Sequence, residues 1–193
     1  FDKEKNCSLE TISPKQMDDY YSKIDSSKFV ISKLQDDIIN DEKILLPRSI
    51  LKLKAAYDAG GKFVMDRIYY LIKKPNKEEF NIHYVLALLN SELLNYYYVQ
   101  MYGTTHVSGG FFDLRGTQIK QLPIKKASIK TQKKIIQSVK TVIDNRKILH
   151  GNISESKQRE IQQKILHEKT KLDSIIYQIY DISEEERRII ESR

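Results

Sequence analysis

"GGFFDLRGTQIKQLPI", residues 109–124, separates two differently built halves of the chain. Glycine lacks a Cβ and accepts positive φ cheaply, so Gly109-Gly110 suits a sharp turn. Phe111, Phe112 and Leu114 are expected to anchor the segment, and Leu122, ahead of Pro123, is pushed towards extended backbone. Before the segment, short apolar runs broken by Pro and Gly precede one helix-like stretch. After it, apolar residues recur at three- and four-residue steps.

On the upstream side, "IHYVLALLNSELLNYYYVQMY" (82–102) reads as one helix. Val85, Leu86, Leu89, Leu93, Leu94 and Tyr97 form its apolar face. Asn81 is a suitable N-cap and Gly103 a suitable stop. Tyr96, Tyr97 and Tyr98 spread around the axis at about 100° each, so at least one should be partly exposed. Further upstream, "KILLP" (43–47) predicts a strand ending at Leu46, because proline cannot donate to a ladder. "DAGGKF" (58–63) is a turn, and "KFVMDRIYYLIKK" (62–74), rich in β-branched and aromatic residues, predicts one or two strands. In residues 1–42, Ser13-Pro14 suggests a helix over Lys15 to Ile24, and Ser26-Ser27 a second one through Phe29, Val30, Leu34 and Ile38.

On the downstream side, Ile135, Val139, Val142, Ile143 and Leu149 mark one apolar stripe. Ile161, Ile165, Leu172, Ile175, Ile176 and Ile179 mark another, with Gly151-Asn152 between as a turn. Two such helices form an antiparallel, coiled-coil-like hairpin. Ser183 followed by Glu186 is a capping box that opens a last short helix. The expected architecture is α+β: a small strand-containing subdomain over 1–126, then a long helical hairpin with a short terminal helix over 127–193.

Charge separates the same halves. Residues 1–112 carry 15 Lys/Arg and 15 Asp/Glu, residues 113–172 carry 15 and 5, and residues 173–193 carry 3 and 6. The excess positive charge is therefore contiguous. It suits attraction of a polyanion, and equally a lysine-rich solvated helix surface. The lone Cys7 allows no disulfide within the chain, and no apolar run approaches about 18 residues. Both point to a reducing, intracellular setting without a membrane span. The chain starts at Phe1, which suggests a piece of a longer protein.

Familiar catalytic motifs are missing: no phosphate loop, no Gly-x-Gly-x-x-Gly, no nucleophile elbow and no zinc-ligand spacing. His83, His150 and His167 are expected in packing or surface roles. His106, in the "GTTHVSGG" loop, is the better placed for ligand contact. Glu155-Ser156-Lys157 has nuclease-like spacing but no upstream partner, and reads as a solvated hairpin tip.

The phrases "LLNSELLNYYY" (88–98) and "GGFFDLRGTQIKQLPI" (109–124) resemble the TaqI-like C-terminal specificity domain. "KILLPRSILKLKAAYDAGGKFVMDRIYYLI" (43–72) and "LDSIIYQIYDISEEERRIIE" (172–191) are similar to its strand region and its ending. The resemblance covers about residues 40–193, and residues 1–40 match nothing recognisable. It implies the target-recognition region of N6-adenine DNA methyltransferases, including type IIG enzymes that fuse methyltransferase to endonuclease. The catalytic Asn-Pro-Pro-Tyr/Phe signature is absent, since Pro14, Pro47, Pro75 and Pro123 stand apart. The resemblance thus implies a non-catalytic recognition module of a prokaryotic cytoplasmic enzyme. S-adenosylmethionine would belong to a catalytic domain of the parent chain, and double-stranded DNA would be the partner.

A recognition module must grip phosphates and read base edges. Arg115 suits guanine and Gln118 suits adenine. Lys120, Lys125 and Lys126 suit phosphates, and Arg48, Lys52 and Lys54, after the first strand, suit groove or phosphate contact. Arg115 and Gln118 are also read as stitching the two halves together. Tyr96, Tyr97 and Tyr98 suit either base stacking or a core edge. Rival readings are a type I specificity subunit and a protein-interaction scaffold without DNA affinity.

Overall fold

The computed structural model describes residues 8–12, 19–21, 25–28, 39–64, 68–72, 81–103, 106–107 and 111–192. Strands fill the first part and helices the second, giving the α+β fold.

The largest sheet is built on "KILLP". Strand β4 (Lys43–Pro47) pairs antiparallel with β6 (Ala56–Asp58) on one side and β8 (Ile68–Ile72) on the other. Strand β2 (Tyr20–Tyr21) joins β6 in parallel, giving the order β2-β6-β4-β8. All five residues of β4 are buried, as expected of a central strand. The strand runs one residue further than its proline suggests, because Pro47 still pairs with Ile68 at the end of the ladder.

Two smaller sheets accompany it. Strand β1 (Ser8–Ile12) lies between β3 (Asp25–Lys28) and β7 (Lys62–Val64). Strand β10 (Phe111–Asp113) lies between β5 (Ser49–Ile50) and β9 (His106–Val107), antiparallel to both. The 62–74 run is thus two strands, in different sheets. At the turn joining β6 to β7, Gly60 and Gly61 have φ of 107° and 85°. A Cβ on Gly60 would meet the Asn40 carbonyl oxygen at 2.5 Å, so only glycine fits.

The helices expected near the start of the chain are corrected where residues are described. Tyr20 has φ of 64° and donates its N–H to the Ala55 carbonyl at 2.8 Å. Ser26 and Ser27 pair with Glu10 and Leu9. In both places ladder bonds to distant strands override the local helix signal. The remainder of those two helices (13–18, 22–24 and 29–38) lies outside the described residues.

The expected 82–102 helix is two helices, α1 (Ile82–Leu89) and α2 (Glu92–Tyr102), broken at Asn90-Ser91. Asn81 caps α1 by accepting from His83 N–H, and Gly103 ends α2. Ser91 caps α2 by accepting from Leu94 N–H. Asn90 turns its amide to the sheet: Oδ1 accepts from Ala55 N–H at 2.8 Å and Nδ2 donates to Ala55 O at 2.9 Å. Its side chain thus replaces a strand neighbour for Ala55.

A short helix α3 (Gly116–Ile119) leads to the hairpin of α4 (Ile129–Leu149) and α5 (Glu155–Ile179), and α6 (Glu184–Glu191) follows. Ile135, Val139, Val142 and Ile143 of α4 face Ile161, Ile165, Leu172 and Ile176 of α5, all buried. The Ser183–Glu186 capping box forms as expected. The hairpin does not pack alone: α1 lies on α4, and α2 lies on α5 and α6. One apolar core runs from Tyr20 through Ile44, Leu46, Leu86 and Tyr98 to Ile190.

Candidate nucleic-acid interface

The β5–β10 pairing joins two loops distant in sequence. Asp113 faces Ser49, and Leu114 N–H donates to the Arg48 carbonyl at 2.7 Å. Arg48 and Arg115 therefore meet on one carboxylate. Arg48 Nε lies 3.1 Å from Asp113 Oδ1, and Arg115 Nε lies 3.6 Å from Oδ2. The side chains of Arg48 and Arg115 are 50% and 64% exposed. Asp113 was not anticipated as a site residue, although a sequence signal exists: it is the only acidic residue between Glu92 and Asp144.

The other residues of the opening segment divide by strand alternation. Phe112 and Leu114 are buried, as expected, and Phe112 meets Tyr98 edge-on at 6.1 Å. Phe111 points to the opposite side and is exposed, a correction that follows from the period of two along a strand. Gln118 is buried rather than facing outward. Its Oε1 accepts from Tyr98 Oη at 3.0 Å and from Arg115 N–H at 2.8 Å. Gln118 thus braces the Arg115 turn against α2, and a buried amide commits its acceptor inside the protein. Arg115 keeps its guanidinium outside. Burial, with Asp113 and Tyr102 nearby, pushes the Tyr98 hydroxyl up to about 12, so it remains a donor. Tyr96 and Tyr97 are half-buried against the core.

The remaining expected residues are dispersed. Lys52 pairs with Glu92 at the start of α2. Lys54 is half-buried. Lys125 is tied down: its Nζ lies 2.6 Å from Asp181 Oδ2, its N–H donates to Tyr180 Oη, and its carbonyl accepts from Tyr84 Oη. Lys120 and Lys126 are exposed and form no ion pair among the described residues. The backbone of His106 pairs with Phe112, which puts His106 in the same small sheet as Asp113. His83 packs against the Tyr57 ring at 4.6 Å, and burial lowers its pKa. His150 caps α4, and His167 is exposed on α5.

The family model of the TaqI-like C-terminal specificity domain spans residues 6–124. The chain belongs to this family. No curated protein matches it. Membership in the TaqI-like specificity family supports a DNA-recognition module of restriction-modification enzymes. The matched span begins at residue 6 rather than near 40, so the first strands belong to the TaqI-like domain. It ends at Ile124, and the α4–α5 hairpin lies beyond it. Arg48, Asp113 and Arg115 all fall inside. Among the described residues no helix is long and apolar enough to cross a membrane, and no three His, Cys, Asp or Glu side chains converge as a metal site.

Proposed function

We propose that this TaqI-like domain selects the target sequence for a site-specific N6-adenine DNA methyltransferase, either alone or fused to an endonuclease in a type IIG enzyme. In this reading residues 1–126 read the duplex and 127–193 form the helical support. A catalytic domain of the parent chain binds S-adenosylmethionine and flips the adenine from the stack. The observation that carries the reading is the Arg48–Asp113–Arg115 constellation inside the matched family span.

The chemistry follows from the side chains. A guanidinium is planar and permanently charged, and its fork matches guanine O6 and N7. A free arginine would lose side-chain entropy on binding. Asp113 restrains Arg48 and Arg115 beforehand, so less is lost at contact. It also partly neutralises them, which reduces indiscriminate attraction to phosphates and leaves hydrogen-bond geometry to discriminate.

Selection from a randomised duplex library tests this reading. The chain should enrich a defined motif containing at least one G·C pair. Arg115→Ala should relax one position of that motif by about tenfold or more, since a bidentate arginine–guanine pair is worth about 1–3 kcal/mol of discrimination. Equal enrichment of all sequences by the unsubstituted chain, or an unchanged motif with Arg115→Ala, removes Arg115 from base reading.

A further inference from the structure

We propose that the exposed face of α4, bearing Lys130, Lys133, Lys134 and Lys140, is a second DNA surface that holds the phosphate backbone beyond the family-matched domain. The inference rests on the DNA-recognition reading above and extends it to the hairpin.

The two long helices differ sharply in charge. Helix α4 carries six Lys/Arg and one acidic residue, Asp144, whereas α5 carries five Lys/Arg and four acidic residues. On α5 the cations are largely neutralised within the helix. Glu160 lies between Lys157 at 2.9 Å and Lys164 at 2.6 Å, Arg159 faces Glu155, and Lys171 faces Glu168. On α4, Lys130, Lys133, Lys134 and Lys140 are exposed and form no ion pair among the described residues. No acidic residue occurs anywhere from Leu114 to Ile143, which contains eight Lys/Arg. Ordinary lysine-rich surfaces interleave both signs, as α5 does.

Helix geometry aligns the four lysines. At 100° per residue they share one side of α4, opposite the buried Ile135, Val139 and Val142. From Lys130 to Lys140 the stripe is about 15 Å long at 1.5 Å rise per residue. One strand of duplex presents a phosphate every 3.4 Å of axis, so the stripe matches about four phosphates. Helix stability does not account for the placement. Cations near a helix start oppose its dipole, and α2, α5 and α6 begin instead with Glu92, Glu155 and Glu184. The first turn of α4 contains no acid. The stripe also begins just past Lys125 and Lys126, where the chain leaves the family-matched span.

The test compares two variants of the chain with equal change in net charge: K130Q/K133Q/K134Q on α4 and K157Q/R159Q/K164Q on α5. Binding to a fluorescein-labelled duplex of arbitrary sequence is followed by anisotropy over a salt series. Circular dichroism melts confirm folding. The α4 variant should reduce the slope of log K against log salt by about 2–3, at about 0.9 per lost phosphate contact, and the α5 variant by less than about 1. Equal slopes for the two variants overturn the stripe while leaving the recognition reading intact. No binding by the unsubstituted chain at the lowest salt overturns both.

Discussion

Asp173 shows how one side chain serves opposing demands. Its Oδ1 accepts from Glu92 N–H at 3.0 Å, which caps the start of α2 from α5. Burial, with the Glu92 charge beside it, pushes its carboxyl up to about 6 against an ordinary 3.8, although the backbone bond and Lys169 and Lys52 pull the other way. An acid with a raised folded pKa holds its proton more tightly in the folded chain. Its stabilising contribution is complete below the unfolded pKa and is lost as pH rises through about 6. Asp173→Asn keeps the acceptor and removes the charge. It should raise stability at pH 8 by about 1–2 kcal/mol after allowance for solvent screening. Urea midpoints at several pH values should show the gain shrinking below pH 6 and vanishing near pH 4. A gain independent of pH would show that the carboxyl does not titrate there. Lys43 and Asp58 are a different case, fully buried and 2.6 Å apart. Lys43 Nζ also donates to the Ile39 and Asp41 carbonyls.

At the scale of elements, Asn90-Ser91 decides the helical layer. An uninterrupted helix would carry the Leu93–Tyr102 face along the axis of α1. The break lets α1 lie on α4 while α2 lies on α5 and α6. Asn90 makes the break specific, because its amide matches both the donor and the acceptor of Ala55. Asn90→Ala would leave the buried Ala55 N–H without a partner. The expected cost is about 2–3 kcal/mol, measured as a lower urea midpoint with unchanged m. A loss below about 0.5 kcal/mol would mean that another group satisfies Ala55. Strand β4 and the turn after β6 follow their sequence signals more closely. "KILLP" and the Gly60-Gly61 turn act locally.

At the scale of the whole molecule, Asp19 joins the strands to the hairpin. It bridges Arg146 on α4 and Lys169 on α5, next to the fully buried Tyr20. Burial alone would raise its pKa, but Lys169 and Arg146 outweigh burial and hold the carboxyl below its ordinary value. Such a group stabilises above the unfolded pKa and ceases to do so as pH falls through the folded one. Asp19→Ala would leave two partly buried cations without a counter-charge. It should destabilise by about 2 kcal/mol at pH 7, with the difference from the unsubstituted chain closing in acid below pH 4. A difference that does not shrink as pH falls below 4 would show that packing, not charge, is what Asp19 supplies.

The residues by themselves determined the α+β class, the hairpin with its two stripes and caps, the glycine turn, and the family resemblance carried by the 88–98 and 109–124 phrases. These depend on periodicity and on contacts within a few positions, which a linear reading contains. Only the tertiary structure decided that Tyr20, Ser26 and Ser27 join ladders, that Gln118 turns inward, and that Arg48 and Arg115 share Asp113. It also decided that the free positive charge lies on α4 and not on α5. Each of those outcomes depends on a partner far along the chain, such as Arg48 for Asp113, 65 positions away. A sequence shows which groups can bond and how the backbone repeats, but the choice among distant partners is made only when burial removes water and unsatisfied groups must find each other.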